Sequence, residues 1–170
     1  MRNIFGKQNG FTFIELIIVL SVLSILSVVG IAAFSSYASK QNLNIAAADL
    51  AATLNLAKSR AYSQVKPTIG GCDSNNLLDG YEVRICGSSS CISTGKTYEV
   101  NVKCGGSFRS PSISSVTAPN LTFTPPTSFF FPVLKGGVAG GGQTVTITNA
   151  QNNTKSVTVD ESGNIKINAN

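Results

Sequence analysis

The chain has 170 residues, a net charge of +5 and only 12% charged side chains, about half the charged share of an ordinary soluble domain. Low charge with a mean hydropathy of +0.18 excludes a disordered chain, which needs the opposite balance. The sequence contains no His, which removes Ser-His-Asp and Cys-His catalysis and every zinc site that mixes cysteine with histidine.

Residues 1–10 carry Arg2 and Lys7 and no acid. The next stretch, 11–34, reads FTFIELIIVLSVLSILSVVGIAAF and holds one charge, Glu15. As a helix it is about 36 Å long at ~1.5 Å per residue, enough for a bilayer core of ~30 Å. The basic residues before it place the short N-terminus in the cytoplasm. Three readings compete: a removable secretory signal, with a small-x-small site at Ser36-Tyr37-Ala38; a plain anchor; or a helix that leaves the membrane and packs against copies of itself. The run is longer than a usual signal core and carries a carboxylate near its start, which argues against the first. A carboxylate there has an insertion cost and calls for a partner. None lies within helical reach inside the segment, whereas a new α-amino group at residue 11 of a neighbouring chain would serve.

The segment Gly10-Phe11-Thr12-Phe13-Ile14-Glu15-Leu16, behind a basic leader and opening a long apolar run, resembles the cleavage and methylation motif of type IV prepilins and type II secretion pseudopilins. The resemblance implies cleavage between Gly10 and Phe11 by a membrane prepilin peptidase and N-methylation of Phe11. It also implies an assembly role for Glu15, which would neutralise the amine of a neighbouring subunit. Many members carry Pro where this chain has Ala32, so a straighter helix is expected here; Gly30 weakens a helix by only about 1 kcal/mol.

Beyond the apolar run, Leu43, Ala47, Leu50, Leu54, Ala57 and Ala61 recur at spacings of 4, 3, 4, 3 and 4, one face of a continuing helix. Pro67 sets its limit. The wording of Asp49–Gln64, DLAATLNLAKSRAYSQ, resembles the second helical half of GspH/FimT-type minor pilins and pseudopilins, with Lys58 where Arg is usual. The expected organisation is a leader over 1–10, an apolar membrane and filament-core helix over 11–34, its amphipathic continuation over 35–65, and a β-rich head over 66–170.

From Gly80 the chain reads as strands. Tyr81, Val83 and Ile85 alternate with polar residues, as do Tyr98, Val100 and Val102. Further strands are expected at 121–124, 129–134, 144–148, 156–159 and 164–167, with a turn at 160–163 and an exposed loop over 107–119. The fold class is therefore α+β: a long helix packed on an antiparallel sheet or small sandwich.

Cys72, Cys86, Cys91 and Cys104 all follow the membrane segment. An even count in an exported part reads as two disulfides; a four-cysteine zinc site is the alternative, without any Cys-x-x-Cys pair to support it. Three connectivities exist. A hairpin of strands 80–86 and 97–103 would put Cys86 and Cys91 at its loop end and Cys72 and Cys104 at its open end, favouring those pairs.

The run 137–144 nearly matches a phosphate loop, but Gln143 stands where its Lys must be and a strand follows. Asp73, Asn75 and Asp79 lack the spacing of a calcium loop. Glu82, Glu99, Asp160 and Glu161 form no identifiable catalytic pair, so neither an enzyme nor a cofactor is expected. Phe129-Phe130-Phe131 suits core packing, with a partly exposed face for subunit contact.

Two functions follow. One is a minor pilin or pseudopilin, held in the bacterial inner membrane as a single pass and assembled with other subunits into a periplasmic or extracellular filament. The rival is a DNA-capturing minor pilin. Some relatives carry a C-terminal Gly-Arg-x-Arg motif that contacts phosphate; here the matching residues are Gly163-Asn164-Ile165-Lys166. One cation at Lys166 gives little affinity through counterion release.

Overall fold

The computed structural model describes residues 10–68, 72, 75–86, 91–109, 113–125 and 127–169. The expected leader, up to residue 9, lies outside them, as do Asp73 and the side chain of Ala32. The chain divides into two compact units, 1–38 and 39–170.

A single helix, α1, runs from Phe13 to Tyr62, 50 residues. Thr12 starts it: its Oγ1 accepts from Glu15 N (3.3 Å) and its carbonyl accepts from Leu16 N (3.2 Å). This is N-cap geometry, in which a side-chain oxygen takes up a donor left free in the first turn. The far end closes with Gln64 N on Ala61 O, Val65 N on Arg60 O, and Gln64 at φ 52°. That Schellman arrangement stops the helix before Pro67.

In the second unit nine strands follow among the described residues: β1 (Leu78–Ile85), β2 (Tyr98–Cys104), β3 (Ser107–Phe108), β4 (Ser114–Val116), β5 (Leu121–Thr124), β6 (Ser128–Pro132), β7 (Gln143–Asn149), β8 (Thr154–Val159) and β9 (Ile165–Ala169). One sheet has the order β3-β2-β1-β6, with β4 also on β2; the other has the order β5-β7-β8-β9. Every pairing is antiparallel. The α+β class expected from the sequence is the class observed.

The 3–4 spacing places the whole expected helix face in the core: Leu43 keeps only 4% of its surface and Ala47, Leu50, Leu54, Ala57 and Ala61 keep none. The alternating strand residues Tyr81, Val83, Ile85, Tyr98, Val100 and Val102 are buried with them, and Val145, Ile147, Val157 and Val159 of the second sheet join the same cluster. Each of the three leucines contributes roughly 1.5–3 kcal/mol by leaving water.

Two expectations change. The loop expected over 107–119 contains β3 and β4, both paired to β2; they occupy an edge that β2 would otherwise leave open. The strand expected over 129–134 ends at Pro132, which has no N–H to extend the ladder. Leu134 then turns at φ 60°.

Candidate functional site

The residues singled out at the N-terminus lie on the first unit. Phe11, Phe13 and Ile14 are 83%, 80% and 63% exposed, and the large apolar side chains from Leu16 to Leu26 are all exposed too. A helix apolar all round and uncovered is suited to lipid or to other helices. Phe11, Glu15, Leu16, Val19 and Leu20 share one flank. Among the described residues Glu15 has no ion-pair partner; the one salt bridge found joins Arg84 to Glu82. Thr12 and Glu15 also have the spacing of a capping box, of which the structure shows the half in which Glu15 N donates to Thr12 Oγ1. Among the described residues no helix is long and apolar enough to cross a membrane. The 11–34 run includes positions 28–30, 32 and 33, whose side chains lie outside the described set, so the membrane-spanning reading rests on the sequence.

The cysteines lie on the head. Cys72 joins Cys104 with Cα atoms 5.5 Å apart, and Cys86 joins Cys91 at 5.4 Å. The β1–β2 register, from Leu78 opposite Cys104 to Ile85 opposite Tyr98, puts one bridge at each end of this hairpin. With all four sulfurs in disulfides, the zinc alternative has no ligands.

Sequence reasoning missed a polar layer on the outer face of the first sheet. Glu82 is 4% exposed, and Glu99 and Asn101 are fully buried. The Glu99 carboxylate accepts from Ile92 N (2.9 Å), Ser93 N (3.1 Å) and Asn101 Nδ2 (3.0 Å). Arg84 pairs with Glu82 at 2.8 Å. These carboxylates are held by structural donors, which a buried charge requires, and they pin the segment after Cys91 to β2. Beside them the Phe130 ring lies over Gly80, where a side chain would collide with it. Phe130 meets Phe108 edge-on at 6.3 Å, and Lys103 Nζ sits 5.6 Å from both ring centroids. Phe129 and Phe131 point the other way, into the core. The only early sign was the pairing of polar residues on both strands: Glu82 faces Asn101 and Arg84 faces Glu99.

At the C-terminal turn, Asp160 accepts from Asn164 N (2.8 Å) and Asn164 Nδ2 (2.9 Å). These bonds, with the nearby Lys166 charge a smaller contribution, hold its carboxyl below the usual range. Asn164 is thus engaged by its own turn, and the field of Lys166 falls partly on Asp160. The geometry assembles no phosphate site there. The glycine run is not a phosphate cradle either: a side chain at Gly137 would strike the carbonyl of Glu161, and one at Gly163 that of Gly136. Gly137, Gly142 and Gly163 serve close packing of the 136–142 loop on the 159–163 segment.

Residues 6–31 match the family model described as the prokaryotic N-terminal methylation motif. No curated protein and no solved structure matches the chain. The methylation motif, followed by a long N-terminal helix and antiparallel sheets, fits a type IV pilin-like protein. Such a motif implies pilin subunits and the prepilin peptidase as partners in general.

Proposed function

We propose that the protein is a non-catalytic minor pilin or pseudopilin. It is stored in the inner membrane through the 11–34 helix, cut after Gly10, methylated at Phe11 and drawn into a helical filament as a structural or priming subunit. The carrying observation is the placement of Glu15: the fifth residue from Phe11, exposed, without an ion-pair partner among the described residues, and on a helix whose apolar surface is uncovered. In a filament, neighbouring helices replace lipid around that surface, and the Phe11 amine of one subunit meets the Glu15 of another. Minor rather than major status is drawn from the GspH/FimT-like wording of residues 49–64.

The test is mass analysis of the mature N-terminus. A chain beginning at methylated Phe11, having lost Arg2 and Lys7 so that its net charge falls from +5 to +3, is the expected result. A chain beginning at Ser39 would make the segment a secretory signal and end the filament reading.

A further inference from the structure

The two disulfides of the head differ in how they meet solvent and in what else holds their cysteines. Cys104 keeps none of its surface and Cys72 only 4%, and both belong to the core cluster. Cys86 and Cys91, at the loop end of the β1–β2 hairpin, are both partly exposed. Thiol–disulfide exchange needs a thiolate to reach a sulfur, so access decides which bridge reacts. A core sulfur is reached only when the core opens, which takes close to the global unfolding free energy; local openings at the surface take far less.

The exposed bridge also spans two feet that other bonds hold. Ile85 faces Tyr98 in the β1–β2 ladder, and Cys86 N donates to Thr97 O at 2.8 Å. Thr97 is itself fixed: its N donates to Val116 O at 2.7 Å, and its Oγ1 accepts from Ala118 N at 2.8 Å. Beyond Cys91, Ile92 N and Ser93 N donate to the two carboxylate oxygens of Glu99 at 2.9 and 3.1 Å. Glu99 is fully buried, and Asn101 Nδ2 donates to it at 3.0 Å. Bonds to an ionised acceptor are stronger than neutral ones. The carboxylate therefore ties the 92–93 segment to β2 without any help from sulfur.

We infer that Cys86–Cys91 is a thiol–disulfide exchange site that opens and closes while the head stays folded, with Glu99 keeping the 92–93 segment in place in the reduced form. The co-reactant is a dithiol. Its thiolate forms a bond to one sulfur of the pair, the Cys86–Cys91 bond breaks, and the electron pair goes to the other sulfur, which takes a proton. The second thiol of the reagent gives up its proton and displaces the first sulfur, which is protonated in turn. The dithiol leaves as a disulfide, and both cysteines end as thiols. An oxidised dithiol runs the same steps in reverse, because the fastened feet keep the two cysteines neighbours. Cys72–Cys104 takes no part, so the head has one structural bridge and one redox-responsive bridge. The inference does not depend on the filament reading.

The experiment treats the full-length chain in detergent, without denaturant, with a small dithiol. Samples are quenched in time with an alkylating agent, and labelled cysteines are assigned by peptide mass. Cys86 and Cys91 should be labelled at least about tenfold faster than Cys72 and Cys104. Tyrosine near-ultraviolet dichroism should persist while only the first pair is labelled. Hydrogen exchange of the Ile92 and Ser93 amides should stay slow in that reduced form, and the oxidised form of the same dithiol should restore the Cys86–Cys91 pair. Labelling of Cys86 and Cys91 no faster than the other pair, or only with the loss of dichroism, would show that the bridge does not open in the folded head. Fast exchange at Ile92 and Ser93 after reduction would show that Glu99 does not hold the segment. Either result overturns the inference.

Discussion

The ammonium of Lys58 donates a 2.9 Å hydrogen bond to the carbonyl of Gly163, across 105 residues of sequence. It fastens the last turns of α1 to the β8–β9 turn at a point where Gly163 has φ 76° and its Cα faces the Gly136 carbonyl.

Two substitutions should separate the parts of this junction. Lys58→Met removes a charge-assisted bond and should cost about 1.5–3 kcal/mol. Gly163→Ala adds left-handed strain to a collision with backbone and should cost at least ~2 kcal/mol. Urea midpoints at unchanged slope are the measurement; a neutral Gly163→Ala would show that the 136–142 loop yields.

The two disulfides should differ in worth. Cys72–Cys104 closes 32 residues and Cys86–Cys91 closes five. The chain-entropy relation gives about 3.7 kcal/mol for the first and about 2 kcal/mol for the second. Replacing each pair by Ala and comparing denaturation midpoints should show the larger loss for 72–104. Equal losses would point to native packing rather than to the unfolded chain.

This pairing illustrates how far the sequence could be read. Alternation in β1 and β2 defined a hairpin, and the hairpin ends brought the right cysteines together. The 3–4 spacing of Leu43 to Ala61 likewise gave the core face of α1, because periodicity reports which side loses water. The polar layer escaped the same logic. Glu82 and Glu99 alternate outward as surface acids would, and the backbone donors that meet Glu99, Ile92 N and Ser93 N, come from outside the two strands. Strands β3 and β4 escaped because two or three residues have too little period to register. At the N-terminal end the methylation motif over residues 6–31 was legible because such a motif is a pattern along the chain rather than a product of tertiary assembly.

Alkaline titration should report on the head core. Burial raises the Tyr81 hydroxyl above its usual range, with the Arg60 charge opposing. Burial also raises that of Tyr98, where Thr53 opposes and Asp49 adds. A folded value above the unfolded one means that stability is full below the unfolded value near 10 and is lost as pH rises through the folded value. Tyrosinate absorbance should therefore show two of the four tyrosines ionising together with the loss of near-ultraviolet dichroism. Ionisation of all four before unfolding would contradict the burial.

Glu15 has two candidate jobs, and a pair of substitutions tells them apart. As the third residue after the Thr12 cap it fits a capping box, a role that Gln fills as well as Glu. As the partner of a neighbour's Phe11 ammonium it must be charged. Glu15→Gln keeps the cap and removes the charge; Glu15→Ala removes both. Breaking a buried ion pair typically costs ~3–5 kcal/mol, and losing the carboxylate also makes the helix a better membrane resident. Both effects favour storage over assembly. On the filament reading, both variants should be made and cleaved normally, yet each should be at least about tenfold depleted from sheared filaments relative to wild type at equal membrane level. If only the cap mattered, Glu15→Gln would assemble like wild type and Glu15→Ala would not. Normal incorporation of both would remove Glu15 from assembly while leaving the helix and its head domain unchanged.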